Sequence, residues 1–137
     1  MLNQSIFKAY DIRGIYPKDL DVATAEQIGK AAVLILKEGE ILLAHDIRHG
    51  KEELIKALET GILAEAQKTG RKFVIRYIGL STTPMFYFLV NNFKAAGGCM
   101  VTASHNPKEY NGVKMVGPGA EMISGKKVLE VIQTLEA

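Results

Sequence analysis

The chain has 137 residues, of which 47% are hydrophobic and 23% charged, the values of an ordinary soluble globular domain. Seventeen basic and fifteen acidic side chains give a net charge of +2 without any basic block, so no nucleic-acid partner is expected. No apolar run reaches the length of a membrane span and no secretory signal pattern is visible, so no membrane partner is expected. The single cysteine, Cys99, excludes an internal disulfide and is typical of a reducing cytoplasm.

The first patterned segment, residues 5–16, reads Ser-Ile-Phe-Lys-Ala-Tyr-Asp-Ile-Arg-Gly-Ile-Tyr. Its apolar residues could pack into a core, whereas Tyr10, Asp11 and Arg13 are polar. Gly14 permits a bend or a close backbone approach. Taken alone, this pattern also fits an edge strand with a solvated arginine.

Asp19 and Asp21 are the one closely spaced carboxylate pair of the form Asp-x-Asp, which could indicate a metal site. No third Asp follows them, and the chain has only four Asp in total. The pair therefore favours the approach to a helix rather than a metal site.

Helix and strand patterns alternate over the rest of the chain. The predicted elements are a helix from a capping box at 24–27 to 38–39, a strand at 41–44, a helix at 51–68, a strand at 73–78, a helix opened by Pro84 and ending near 92, strands at 99–101 and 113–116, and a helix capped by Ser124. The aromatic stripe of the third helix, including Phe88, is assigned to the core. The alternation predicts an α/β domain over residues 1–137. Its last strand should be antiparallel and at an edge, because the preceding loop is too short for a crossover helix.

His45-Asp-Ile-Arg-His-Gly50 follows the strand at 41–44, at the end of the sheet where α/β proteins gather ligands. Asp46 and Arg48 are expected to pair with each other or with backbone groups. They are interpreted as supporting residues rather than catalytic ones.

A polar loop, residues 102–110, joins the last two predicted strands. Ser104, His105 and Asn106 stand in a row within it, and Lys114 follows ten residues after Ser104. A serine at a strand end, with an imidazole and an ammonium nearby, has the parts of an activated or phosphorylated nucleophile. Ser, Asn and Pro are also the usual residues of turns, so the loop alone leaves both interpretations open.

The amino-acid sequence of this loop resembles a motif of one protein family. Thr102-Ala-Ser-His-Asn-Pro107 followed by Tyr110-Asn-Gly-Val-Lys114 resembles the phosphoserine loop of the α-D-phosphohexomutases, the phosphoglucomutase/phosphomannomutase family. Phe7-x-x-Tyr-Asp-Ile-Arg-Gly14 and Gly79-x-x-Thr-Thr-Pro84 resemble two further motifs of that family, in the same order. At residues 44–48, where the family usually reads Gly-Arg-Asp-x-Arg, only Asp46 and Arg48 match, and Ala44 and His45 differ.

The resemblance implies a three-layer α/β/α domain with about four main strands, the last antiparallel. It implies an isomerase that interconverts hexose 1-phosphate and hexose 6-phosphate through a phosphoserine and a hexose 1,6-bisphosphate intermediate. Ser104 would carry the phosphate and hold Mg²⁺ through it. The other site residues that the resemblance implies are, for catalysis, Arg13, Lys114 and His105, and for phosphate or substrate binding, Tyr10 and Asn106.

In this family the metal carboxylates, the sugar-selecting loop and the distal phosphate site belong to later domains. The resemblance therefore implies that this chain is the first domain and is nearly inactive alone. A helix pattern without a clear terminator at Ala137 is typical of a cut at a domain boundary. Two alternatives are a stand-alone phosphate- or sugar-phosphate-binding module, and a folded fragment whose only activity is association with the missing domains. The sugar preference cannot be predicted from these motifs.

Overall fold

A computed structural model describes residues 2–135 and contains a mixed sheet with helices on both faces. The elements are β1 (Ile12–Ile15), α1 (Val22–Ile35), β2 (Gly39–His45), α2 (Lys51–Thr69), β3 (Phe73–Leu80), α3 (Thr83–Asn92), β4 (Gly97–Val101), β5 (Tyr110–Val116), β6 (Met122–Ile123) and α4 (Gly125–Leu135). Within the described residues, no helix combines the length and the apolar character that a membrane crossing requires.

The strand order is β1-β5-β4-β2-β3, with β6 also paired to β5. β2 lies parallel to both β3 and β4, and β5 lies antiparallel to β4, which confirms the four main strands and the antiparallel last one. The prediction that β5 forms an edge was wrong, because β1 and β6 pair antiparallel along its other side. The pairing of β1 with β5 joins segments about a hundred residues apart, so no local pattern indicates it.

The sheet is buried on both faces, which gives three layers. Along β2, Ile41 and Leu43 pack with α1, α2 and α4, whereas Leu42 and Ala44 pack with α3. Successive side chains of a strand point to opposite faces, so a strand covered on both sides reads as a continuous apolar run. This is why residues 41–44 could be recognised as a central strand.

Side-chain caps fix where α1, α3 and α4 begin. Asp21 caps α1 by accepting a hydrogen bond from the Thr24 amide at 2.8 Å, so the helix begins three residues before the predicted capping box and ends at Ile35 rather than at 38–39. Because Asp21 is this cap, the carboxylate pair does mark the approach to a helix, as predicted, and Asp19 accepts a hydrogen bond from the Asn3 side chain. Thr82 caps α3, and Ser124 caps α4 by accepting from the Lys127 amide.

The α3 helix buries only one stripe of its apolar surface. Phe86 and Val90 are fully buried, but Met85 and Phe88 are 50% and 59% exposed, so the assignment of the whole aromatic stripe to the core was wrong. A ten-residue helix lying on one face of a sheet contacts it with a single stripe, and these two side chains lie outside it.

Glycines bring α1 and α2 into direct backbone contact. A Cβ on Gly61 would lie 2.0 Å from the Glu26 carbonyl oxygen, and a Cβ on Gly29 would lie 2.4 Å from that of Leu58. Both positions are buried, so neither helix can shift without disturbing the core beneath it.

Gly61→Ala is therefore expected to destabilise the domain, although alanine favours the helix by roughly 0.5–1 kcal/mol. Separating two packed helices typically costs about 1–3 kcal/mol, which exceeds that gain. Urea unfolding of the 137-residue chain measures the difference. Thr60→Ala, the neighbouring exposed position on α2, is the matched control and should change the free energy of unfolding by less than about 0.5 kcal/mol. A Gly61→Ala protein as stable as this control would contradict the packing argument.

Candidate active-site loop

The carboxyl ends of β2 and β4 bring two polar segments side by side. His45 is paired with Val101 at the end of the parallel ladder, and the Asp46 amide donates to the Val101 carbonyl oxygen at 3.1 Å. Residues 45–50 therefore run next to the loop at 102–110, at the end of the sheet where open α/β folds place their ligands.

Ser104 lies in that loop with an exposed side chain and an unusual backbone conformation. Its φ is +52°, in the left-handed region that residues other than glycine seldom adopt. The Ser104 amide donates to the Thr102 hydroxyl at 3.1 Å. Within residues 2–135 its own Oγ has no hydrogen-bond partner, so the hydroxyl is available to a ligand.

Thr102, which carries the other aliphatic hydroxyl of the loop, is only 3% exposed. Its Oγ1 donates a hydrogen bond to Asp46 Oδ2 at 2.6 Å, and Thr102 Oγ1 also accepts a hydrogen bond from the Ser104 amide. Asp46 in turn accepts from the Arg48 amide through Oδ1, at 2.9 Å. The Thr102 hydroxyl is thus used inside the protein, which distinguishes it from that of Ser104.

Arg48 fixes the loop by donating hydrogen bonds to four of its backbone carbonyl groups. Its Nη2 donates to the carbonyl oxygens of Ser104 and Asn106, both at 2.6 Å, and its Nη1 to those of Pro107 and Tyr110, at 2.7 and 3.1 Å. Its Nε lies 3.7 Å from Asp46 Oδ2. The expectation that Asp46 and Arg48 pair with each other and with backbone is confirmed.

Arg13 and Lys114 meet at a buried carboxylate. Asp11, 4% exposed, accepts from Arg13 Nε at 2.7 Å and from Lys114 Nζ at 3.2 Å through the same oxygen, Oδ2. The distance between Arg13 Nε and Lys114 Nζ is therefore no larger than the sum of these two distances. Arg13 is opposite Gly112 and Lys114 opposite Met100 in the sheet, which places both on the face that α3 covers.

Residues 4–137 match the family model described as phosphoglucomutase/phosphomannomutase, alpha/beta/alpha domain I. The chain belongs to this phosphohexomutase family. It is 44% identical over 127 residues to a protein named phosphohexose mutases from Xanthomonas campestris, covering 93% of this chain and 27% of that one. It is 40% identical over 135 residues to a Klebsiella pneumoniae phosphomannomutase, covering 98% of this chain and 82% of that one.

The same relationship appears in three dimensions. A crystal structure of a phosphoglucomutase/phosphomannomutase family protein from Burkholderia thailandensis superimposes with a TM-score of 0.83 at 31% identity. The match covers 99% of this chain and 31% of that one, so this chain spans about a third of the solved structure and about a quarter of the Xanthomonas relative. Its segment corresponds to the first domain of the phosphohexomutases.

The structure groups some of the predicted phosphohexomutase residues and separates others. Ser104, His105 and Asn106 share the loop, where the Asn106 side chain donates to the Ala103 carbonyl oxygen at 2.9 Å and so shapes the turn. His105 is exposed. Tyr10, 70% exposed, lies beside Asp11 in the turn before β1. Within residues 2–135, no hydrogen bond joins the Arg13 or Lys114 side chain to Ser104.

Sequence reasoning missed two residues that organise this site. Asp11 joins the two predicted cations, and Thr102 joins the loop to Asp46. Asp11 stands inside the Tyr-Asp-Ile-Arg motif, so the available signal was its place between two residues already singled out. His45, which replaces the family's usual Arg, contacts the Asp46 carbonyl oxygen through Nδ1 at 2.8 Å, so Nδ1 carries the proton.

The described residues contain no group of three or more His, Cys, Asp or Glu side chains placed to hold a metal ion. Asp46 and Glu109 line the cleft that contains Ser104, and both oxygens of Asp46 accept hydrogen bonds from protein groups. The side chains of this domain therefore do not form a cage for Mg²⁺, which prefers several oxygen ligands.

A shallow apolar cleft adjoins the loop. It is lined by Asp46, Ile47, Leu80, Ser81, Thr82 and Met85. Ile47 and Leu80 are 78% and 65% exposed, which is unusual for large aliphatic side chains lying together. Contiguous exposed apolar surface of this kind is typical of places where proteins or domains associate.

Proposed function

We propose that this chain is one domain, the phosphoserine-bearing first domain of a phosphohexomutase that interconverts hexose 1-phosphate and hexose 6-phosphate. The observation that carries the proposal is the state of Ser104. Its hydroxyl is exposed and free within the described residues, while the backbone on both sides of it is fixed by Thr102 and Arg48. A phosphoryl carrier needs this combination of access and fixed geometry, because positioning supplies much of the rate of phosphoryl transfer.

The proposed reaction moves the phosphoryl group of phosphoserine 104 to a free hydroxyl of a hexose phosphate. The bond from phosphorus to Ser104 Oγ breaks, a bond to the sugar oxygen forms, and the proton of the sugar hydroxyl ends on Ser104 Oγ. The resulting hexose 1,6-bisphosphate reorients, and its other phosphoryl group returns to Ser104 Oγ. The exposed imidazole of His105 is a suitable proton carrier near neutral pH.

Arg13 and Lys114 would neutralise charge on the phosphoryl group. Among residues 2–135, Arg13 contacts Asp11 through Nε, so both of its Nη groups remain for phosphate oxygens, and Lys114 keeps two of its three N–H groups. With Asp11 the trio carries a formal net charge of +1, which favours a dianion. Tyr10, exposed on the preceding turn, would contact the substrate, and Asn106 would keep the loop in its phosphate-binding shape.

Mg²⁺ is proposed to bind an oxygen of the Ser104 phosphate, where it would neutralise charge during transfer. Asp46 would not join it as a ligand, because both oxygens of this carboxylate already accept hydrogen bonds from protein groups. The remaining ligands would come from later domains, and the proposal therefore includes these domains as partners. Cytoplasmic location is part of the same proposal, supported by the single, buried cysteine.

The competing proposals are a stand-alone binding module and a fragment that only associates with other domains. The exposed side chains of Ile47, Leu80 and Met85 favour association with further domains. A binding module would take up sugar phosphate without ever becoming phosphorylated, which separates it from a mutase domain.

The test is to map the phosphate. The full-length protein that contains this sequence is incubated with glucose 1,6-bisphosphate and Mg²⁺, digested, and analysed by mass spectrometry. We expect one phosphopeptide, modified at Ser104. Phosphate on Thr102 or Ser81, or no phosphate on a protein that nevertheless turns over substrate, would contradict the proposal. The 137-residue chain alone should show no enzyme-like turnover in a coupled assay.

A further inference from the structure

Arg48 satisfies an unusual number of backbone groups in the Ser104 loop. Four of its hydrogen bonds end on carbonyl oxygens between Ser104 and Tyr110, at 2.6 to 3.1 Å. Its side chain is only 13% exposed, and its Nε faces Asp46. A guanidinium is planar and presents its N–H groups as a fixed fork, so four simultaneous bonds define the positions of those carbonyl groups relative to one another.

The direction of these carbonyls sets the direction of the neighbouring amides. In a trans peptide the C=O and the following N–H point opposite ways. Because the Ser104 and Pro107 carbonyls point at Arg48, the His105 and Lys108 amides point away from it. Backbone N–H groups that point out of a loop together form a surface suited to anions.

Ser104 itself is fixed from both sides. Its amide is bonded to Thr102 Oγ1 and its carbonyl to Arg48 Nη2, while φ stays at +52°. Both partners depend on Asp46, which accepts from the Thr102 hydroxyl and from the Arg48 amide. The segment after β2 therefore controls the conformation of the serine, although it contributes no group to the exposed hydroxyl.

We propose that Arg48 is a positioning residue for phosphoryl transfer: it clamps the Ser104 loop through four carbonyls and does not bind the substrate. The role assigned to Ser104 rests on the proposed function, but the clamp can be tested without it. Lysine keeps the charge at this position and loses the fork, and glutamine removes the charge. Neither can hold four carbonyls in the same geometry.

The experiment compares Arg48→Lys and Arg48→Gln with Arg71→Lys. Arg71 also donates to a backbone carbonyl, that of Leu36 at 2.6 Å, but it lies in the connection between α2 and β3, so it is the matched control. Backbone ¹⁵N relaxation on the labelled 137-residue chain measures order parameters for the amides of residues 104–106 and 108–110, with residues 41–44 of β2 as reference. In both Arg48 variants we expect the loop values to fall from about 0.85 to below about 0.6 while the reference values stay constant.

The second readout is the steady-state mutase kinetics of the full-length protein with glucose 1-phosphate and a catalytic amount of glucose 1,6-bisphosphate, together with mass-spectrometric mapping of the phosphate. We expect kcat to fall by about tenfold or more in Arg48→Lys with little change in KM, and no change in Arg71→Lys. Unchanged loop order in both Arg48 variants would overturn the proposal. Equal loss of order in the loop and in β2 would also overturn it, since it would show a general role in folding. Loss of loop order with phosphate found elsewhere than Ser104 would support the clamp and overturn only the proposed function.

Discussion

Ser104→Ala is expected to lower the mutase turnover of the full-length protein by at least about a thousandfold, corresponding to roughly 4 kcal/mol of lost transition-state stabilisation. The proposed pathway passes the phosphoryl group through this hydroxyl, and the other aliphatic hydroxyl in the loop cannot replace it. Thr102 is buried and its Oγ1 is hydrogen-bonded to Asp46 at 2.6 Å. Turnover is measured in a coupled assay with glucose 1-phosphate and a catalytic amount of the bisphosphate.

The matched control is Ser81→Ala. Ser81 lines the neighbouring apolar cleft, and its hydroxyl donates only to the adjacent Thr82 carbonyl oxygen at 2.9 Å. We expect this variant to keep turnover within about twofold and to keep the phosphopeptide at Ser104. Because Ser104 is exposed, its replacement should leave the melting temperature close to that of the unmodified protein, which excludes unfolding as the cause. If the Ser104→Ala enzyme keeps its turnover within tenfold of normal, Ser104 is not the phosphoryl carrier.

Local patterns were sufficient for most of the secondary structure. The continuous apolar run at 41–44, the four-residue spacing of apolar side chains in α2 and the hydroxyl caps at Thr82 and Ser124 are determined by neighbours in the chain. The start of α1 was misplaced because Asp21 and Thr24 are both good N-caps, and only the observed bond from the Thr24 amide to Asp21 decides between them.

Tertiary contacts could not be predicted in the same way. The carboxylate of Asp11 accepts a hydrogen bond from Lys114, which is 103 residues later in the sequence. Arg48 donates hydrogen bonds to carbonyl oxygens that are 56 to 62 residues away in the sequence. Such contacts depend on which strands become neighbours, and a sequence pattern does not specify the pairing of β1 with β5. The motif identified Ser104 and its loop, whereas the groups that hold the loop in place became visible only with the fold.

The same limit explains the errors about exposure. Met85 and Phe88 have the spacing of core residues, yet α3 lies on one side of the sheet and leaves both half exposed. If later domains cover the cleft that contains Met85, the apolar pattern of α3 serves two contacts at once, one with the sheet of this domain and one outside it. The sequence of a single domain cannot distinguish these two uses of an apolar side chain.

Arg13→Ala and Lys114→Ala are each expected to lower turnover of the full-length protein by about tenfold or more, since each factor of ten corresponds to about 1.4 kcal/mol. A charge-assisted hydrogen bond to phosphate in a partly desolvated site contributes about 1.5–3 kcal/mol. Arg13 is 30% exposed and Lys114 19%, so each is partly shielded from water. Arg13→Ala should have the larger effect, because its two Nη groups can bind two phosphate oxygens at once.

The control is Arg76→Ala. Arg76 is also an arginine paired with a carboxylate, Glu40 at 2.7 Å, but it lies on β3, at the edge of the sheet opposite β1. Turnover in this variant should remain within about twofold. Arg13→Lys adds a finer test, because it keeps the charge beside Asp11 and loses the fork: it should recover only part of the loss. If Arg13→Ala and Lys114→Ala behave like Arg76→Ala, then the two cations serve only to neutralise the buried carboxylate of Asp11, and the phosphate of Ser104 must be neutralised by groups outside this domain.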